Sequence, residues 1–136
     1  MYKRQLEAFR RSGRACREPF VFAEPHLYAE HQHVAALEEA LRGHEAIPVA
    51  VGSGTINDLT KLAAHRAGRP CLAVATAASM DGYTAFGASI ACHGSKQTIN
   101  CPAPAAVVAD LDVICAAPAG MNAAGYADLL LSLIHI

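Results

Sequence analysis

Apolar positions follow two alternating rhythms along this chain: short uninterrupted runs, and longer stretches in which they recur every three or four residues. "AIPVAVG" (46–52) and "PCLAVAT" (70–76) are runs of the first kind and predict buried strands. Between them "INDLTKLAAHRAG" places Ile56, Leu59, Leu62 and Ala63 on one side and closes at Gly68, which predicts a helix. Strand, helix and strand in that order imply a parallel sheet. Upstream, the aromatic run "PFVFAE" (19–24) suits a strand. It is followed by "EHQHVAALEEALRG", where Val34, Leu37 and Leu41 keep helical spacing up to Gly43, completing a βα unit. Downstream of Ala75 the pattern is loop-like around Gly82 and Gly87. "ASIACHG" and "KQTIN" then predict a hairpin turning at Gly94 and Ser95. "AAVVADLDVICAAP" supplies one more apolar strand, and after Pro118 "AGMNAAGYADLL" starts a helix rich in small residues. No repeat or low-complexity linker interrupts this order.

Composition narrows the class. With 136 residues, 53% of them hydrophobic, the chain can bury one core of ordinary domain size. A formal net charge of -1 without clustered Lys or Arg leaves no footprint for nucleic acid or an anionic membrane surface. The five cysteines (Cys16, Cys71, Cys92, Cys101 and Cys115) contain no CxxC pair, and several lie in apolar runs, as reduced buried thiols do. Cys92 and Cys101 flank the hairpin, close enough in sequence to meet, but a cytoplasmic location argues against a disulfide. No apolar region follows the basic "MYKRQLEAFRRSGR", and no segment approaches the roughly 18 apolar residues of a membrane span.

The two ends stand apart. "MYKRQ" (1–5) joins nothing recognisable, and "LSLIHI" (131–136) interrupts a helical pattern with a polar-poor string. Both resemble translated read-through of a transposon-end adapter. Residues 6–130 are therefore expected to be the natural sequence, a fragment truncated at both ends.

"VAVGSGTINDLTK" (49–61) carries the first chemical signal. A strand running through Gly52, Ser53 and Gly54 into a helix leaves the first-turn N–H groups without intrahelical partners, and the helix dipole adds about half a positive charge there. Such an end attracts phosphate. Gly52 and Gly54 are able to take positive φ and to let a ligand approach the backbone. The pattern lacks the third glycine of G-x-G-x-x-G, where Asn57 stands, and the Lys-Ser/Thr ending of a P-loop. Physics alone leaves both a phosphate site and a plain tight turn open.

"VGSGTINDLTKLAAHRAGRP", "VATAASMDGYTAFGASI", "VVADLDVICAAP" and "AAGYADLL", in that order, resemble the sn-glycerol-1-phosphate dehydrogenase family. That family sits within the larger group of iron-containing alcohol dehydrogenases, glycerol dehydrogenases and dehydroquinate synthases. The resemblance is strong over residues 46–130 and loose before them. It implies an α/β fold, a Rossmann-like nucleotide-binding domain with a parallel sheet (residues 6–117). It also implies the first helix of an all-helical metal-binding domain (118–130), with the active site in the cleft between. The implied reaction is NAD(P)H-dependent reduction of the triose phosphate dihydroxyacetone phosphate to sn-glycerol 1-phosphate, a step of phospholipid biosynthesis. A divalent metal, usually zinc, takes part, and the full-length enzyme is expected to be a homo-oligomer. Glycerol dehydrogenase, a dehydroquinate synthase relative and a stand-alone nucleotide-binding module are the alternatives.

The resemblance also assigns residues. Gly52, Gly54, Thr55, Ile56, Asn57 and Asp58 would bind the dinucleotide, as would Thr76, Ala77, Ala78 and Ser79 at the carboxyl end of a strand, where open α/β sheets bind ligands. Asp81 matches a substrate-binding aspartate; by itself it reads as a turn residue before Gly82. Ala85 stands where the family usually carries a cofactor-contacting serine. Asp128 matches a metal-ligating aspartate that also touches substrate, whereas a lone helical Asp is ordinarily solvated. Its histidine partners would lie in the helical domain outside this chain, so the fragment is expected to be inactive alone and to leave the apolar face of its last helix uncovered. His26, His31, His33, His44 and His93 have no metal-ligand spacing, and His65 lies on the dinucleotide helix. His135 belongs to the adapter-like tail. Lys61, Arg66 and Lys96 read as solvated charges.

Overall fold

The computed structural model describes residues 2–134; Met1, His135 and Ile136 lie outside the described residues. Its elements are α1 (Tyr2–Arg11), α2 (His31–Leu41), β1 (Val49–Gly52), α3 (Gly54–Arg66), β2 (Leu72–Ala75), β3 (Ala88–Cys92), β4 (Ser95–Ile99), β5 (Ala106–Ala109), α4 (Leu111–Cys115) and α5 (Ala119–Ile134). A single 3-10 turn, Gly82–Thr84, interrupts the loop after β2.

Strands β1, β2 and β5 form a parallel sheet in that order, in register Ala50↔Ala73 and Ala73↔Val107. The strand-helix-strand reading of residues 46–76 is thus borne out. Gly68, with φ 69°, lies just beyond the end of α3, where a left-handed residue satisfies the final carbonyls. The hairpin β3–β4 makes a second, antiparallel pair. Val34, Leu59, Leu62, Ala63, Ala88, Ile90 and Cys101 form the buried cluster, so the core lies among α2, α3 and the hairpin.

Four local expectations change. Residues 19–24 form no strand. Phe20 and Val21 are exposed and only Phe22 packs on the core, while Pro19 and Pro25 bracket the run. Its natural edge, β3, is met instead at residues 29–30, where Ala91 N–H donates to the Ala29 carbonyl (2.6 Å) and Glu30 bridges Ala91. The hairpin turns at His93 and Gly94, both at positive φ (49° and 80°) as a two-residue primed turn requires, and Ser95 already pairs with Cys92. The run 105–118 is strand only over β5. Asp110 ends it by accepting from the Asp112 and Val113 amides (3.1 and 3.5 Å), which caps α4. Helix α5 continues through residues 131–134, where the sequence pattern placed an interruption, and α1 gives helical structure to the N-terminal stretch.

Candidate functional site

Carboxyl ends of β1, β2 and β5 face one edge of the sheet, the edge at which parallel α/β folds bind ligands. Ser53 occupies the N-cap of α3 in extended conformation, and its side chain makes no capping bond. The first intrahelical bond runs from Asn57 N–H to the Ser53 carbonyl (3.1 Å). The amides of Gly54, Thr55 and Ile56 therefore precede the helical ladder and point out of its positive end.

Neither Gly52 nor Gly54 uses positive φ, contrary to the sequence expectation. Gly52 serves close packing instead, and Gly54 lies against the flexible side chain of Met80. A Cβ at Gly52 would come 2.6 Å from Ile56 Cγ1, and one at Gly54 would come 2.8 Å from Met80 Sδ. The second contact joins the two predicted cofactor segments, since Met80 directly follows the stretch Thr76, Ala77, Ala78 and Ser79.

That second segment is fixed from several sides. Thr76 N–H continues the ladder to the Gly52 carbonyl (3.3 Å). The buried Tyr83 hydroxyl donates to the Ala77 carbonyl (2.8 Å) and lies 3.4 Å from Ser79 Oγ. Burial pushes the Tyr83 phenol above its ordinary value, outweighing the opposite pull of Ser79, so it remains a donor at neutral pH. Ala78 N–H donates to Asn122 Oδ1 (3.1 Å), and Asn122 Nδ2 donates to the Ile114 carbonyl (3.2 Å).

Asp81 and Asp128, 47 positions apart in sequence, meet: Asp81 N–H donates to Asp128 Oδ2 at 3.1 Å. Ser132 Oγ donates to Asp81 Oδ2. Gly125 makes this approach possible, because its Cα faces the Ala78 carbonyl directly.

Asn57 and Asp58 differ in their partners. Asn57 is 1% exposed, and both atoms of its carboxamide lack a hydrogen-bond partner among the described residues. Asp58 turns inward, accepting from Ser89 N–H (3.2 Å) and pairing with Lys61 Nζ (3.2 Å). Lys61 itself, expected on a solvated face, is 2% exposed. Its ammonium also donates to the carbonyls of Ala85 (3.3 Å) and Gly87 (2.5 Å), which offsets part of the cost of burying a charge. The i,i+3 spacing of Asp58 and Lys61 was the available signal for this pairing. Arg66 pairs with Glu38 (3.0 Å), and Lys96 is exposed as expected.

Among the described residues no three of His, Cys, Asp and Glu cluster as a metal site. All five cysteines are free. Burial raises the Cys71 and Cys101 thiols above their ordinary value. Cys101 adds to the rise at Cys71, while the hairpin register sets Cys92 opposite Ser95, at the turn end and away from the end where Ile99 leads to Cys101. A cavity of about 430 Å³, lined by Lys61, His65, Arg69, Cys71 and Pro102 among others, opens at the opposite, amino-terminal end of β2. No described helix is long and apolar enough to cross a membrane.

The sequence profile of the iron-containing alcohol dehydrogenases matches residues 4–118. The chain belongs to that family. Within this iron-containing alcohol dehydrogenase family it is 48% identical over 84 residues to the glycerol-1-phosphate dehydrogenase (NAD(P)+) of Bacillus subtilis strain 168, covering 62% of this chain and 21% of that protein. It is 46% identical over 82 residues to the enzyme of the same name from Pyrococcus furiosus, covering 60% and 24%. Among solved structures it superimposes on glycerol dehydrogenase from Schizosaccharomyces pombe with TM-score 0.69 and 27% identity, over 82% of this chain and 28% of that one. The iron-containing alcohol dehydrogenase from Thermotoga maritima matches in fold, with TM-score 0.79 at 16% identity, over 94% and 41%. The α/β fold with its parallel sheet is thus the family's. The chain spans 20–26% of the length of the curated relatives it matches.

Proposed function

We propose that this chain supplies the dinucleotide-binding part of an sn-glycerol-1-phosphate dehydrogenase, which interconverts dihydroxyacetone phosphate and sn-glycerol 1-phosphate with NAD or NADP. The observation that carries the reading is the open first turn of α3 beside the loop on which Asp81 and Asp128 meet. Identities of 45–48% to enzymes of that name support the substrate class. The reading divides the chain into a nucleotide-binding part (6–117) and the start of a helical metal-binding part (118–130). It carries with it a cytoplasmic location and a homo-oligomeric enzyme.

The residues fit a dinucleotide. Amides of Gly54, Thr55 and Ile56 would donate to the pyrophosphate, with Asn57 in the same turn as a buried carboxamide in need of a partner. The segment Thr76, Ala77, Ala78 and Ser79, held by Tyr83, would border the ligand beyond the phosphates. NAD(P) supplies the hydride donor or acceptor when bound. Asp81 would accept a hydrogen bond from a hydroxyl of the triose phosphate. A catalytic zinc takes three protein ligands, and Asp128 is the one this chain would contribute. Among the described residues the donors do not make that metal centre by themselves.

Fluorescence titration of the 136-residue chain with ADP and NADH, alone and with dihydroxyacetone phosphate or glycerol, tests the reading. Saturable binding of both nucleotides is expected, tightened by the triose phosphate and not by glycerol. Tightening by glycerol instead would favour a glycerol dehydrogenase, and no binding of either nucleotide would overturn the dinucleotide site.

A further inference from the structure

Lys61 lies two turns into α3, away from the open helix end, yet its buried ammonium is tied both to Asp58 and to the loop ahead of β3. Asp58, on its own helix, stands at ion-pair distance, 3.2 Å. The ammonium donates to the carbonyls of Ala85 and Gly87, where the loop leaving β2 returns to the hairpin. Asp58 closes the circuit by accepting from Ser89 N–H, the second residue of β3. Gly87, at φ 84°, donates in turn to the Cys101 carbonyl (2.7 Å). Two carbonyls thus accept from the ammonium while the Asp58 carboxylate balances its charge, the pairing a buried cation needs.

The anchored loop is the one that carries Asp81. Its near end is fixed by Thr76 and Tyr83, and its far end has no strand pairing until Ala88. We propose that Lys61 is a positioning residue: held by Asp58, it sets the far end of loop 76–87 so that the segment bearing Asp81 faces the ligand. Asp58 then acts through Lys61 and not by touching the dinucleotide. The proposal rests on the dinucleotide reading above. It adds that the phosphates are recognised at α3 independently of Lys61, whereas the remainder of the ligand requires the lysine.

ADP and NADH separate the two contributions, since ADP lacks the nicotinamide half. In Lys61→Met, the dissociation constant for NADH is expected to rise about tenfold while that for ADP changes less than about twofold, with the circular dichroism spectrum retained. Lys61→Arg, which keeps the charge and the donors, should recover most of the NADH affinity. Equal weakening of both ligands, as a merely structural lysine would give, or no weakening at all, overturns the proposal. If Lys61→Met does not fold, amide exchange in the unaltered chain decides. NADH, and not ADP, should slow exchange at Asp81, Ala85, Gly87 and Ser89, and rates indifferent to NADH overturn the proposal. Failure of the unaltered chain to bind either nucleotide is the separate failure of the dinucleotide reading, and this proposal falls with it.

Discussion

Replacing Gly125 by alanine tests the junction on which the site depends. An added Cβ would lie 2.0 Å from the Ala78 oxygen, 2.7 Å from the Ala78 carbonyl carbon and 3.0 Å from Met80 N, all backbone atoms that cannot rotate aside. Real contacts of this kind essentially never fall below 3.0 Å, so α5 and the loop must separate by about 1 Å. The Asn122–Ala78 and Asp128–Asp81 hydrogen bonds, both at 3.1 Å, do not survive that shift within hydrogen-bond range. Both are open to water, so each loss costs toward the low end of the usual scale, about 0.5 kcal/mol. Overpacking adds about 1–3 kcal/mol. Alanine's better helix propensity returns about 1 kcal/mol. The net expectation is a destabilisation of about 1–3 kcal/mol, read from urea unfolding, with faster amide exchange at Ala78 and Asp81. An unchanged or higher midpoint, with both amides still protected, would refute the close approach of α5 to the loop.

Asp110→Ala removes the cap of α4 and should lower stability by about 1 kcal/mol at unchanged denaturant slope; a change below about 0.3 kcal/mol would deny the cap its role. Cys71 and Cys101 are held protonated by burial, so between their ordinary value of 9.0 and the raised folded values the unfolded chain releases protons that the folded one keeps. Their contribution is fully present below pH 9 and lost as pH rises through the folded values. Thermal unfolding of the wild type from pH 8 to 10.5 should therefore show a steeper loss than that of the Cys71→Ala, Cys101→Ala double variant, and equal slopes would contradict the burial argument. At pH 8 a thiol reagent should label exposed Cys16 and Cys115 before the buried pair.

The parallel sheet and α3 were legible because buried strands and a one-sided helix leave unmixed periodicities, and the glycine-rich turn between them carries its own mechanism. The strand read at 19–24 was not legible as a loop, since an aromatic run looks alike whether or not an edge is free to pair with it; here β3 is occupied at Ala91. Asp81 and Asp128 were found through motif resemblance, and their contact depends on Gly125, whose significance appears only when the Ala78 carbonyl lies across from it. Lys61 was misjudged for a related reason. A lysine on a helix is ordinarily solvated, and only the fold supplies the two carbonyls that allow it to be buried. Helix α5 reverses the usual pattern, turning Gly125 inward while Tyr126, Leu129 and Leu130 stay exposed, so its apolar positions did not mark its packed face.

Loop 76–87 shows how a sheet of four-residue strands can hold a site. Ordering each loop residue costs roughly 1–2 kcal/mol in backbone entropy, and a single 3-10 turn with one internal bond does not repay that. Compensation comes from three directions: α5 through Asn122 and Asp128, the loop itself through Tyr83, and α3 through Lys61. Each takes a different stretch of the loop, near Ala78 and Asp81, at Ala77, and at Ala85 and Gly87. Loss of one should loosen its own stretch most, and because the stretches are joined through the 3-10 turn the shift reaches Asp81 as well. Asp81 is itself held by α5 through Asp128, and the α3 anchor at Ala85 follows it four residues later, so its placement is sensitive to both. On the proposed dinucleotide reading, the residues that shape the site therefore include a glycine and a lysine that would touch no ligand.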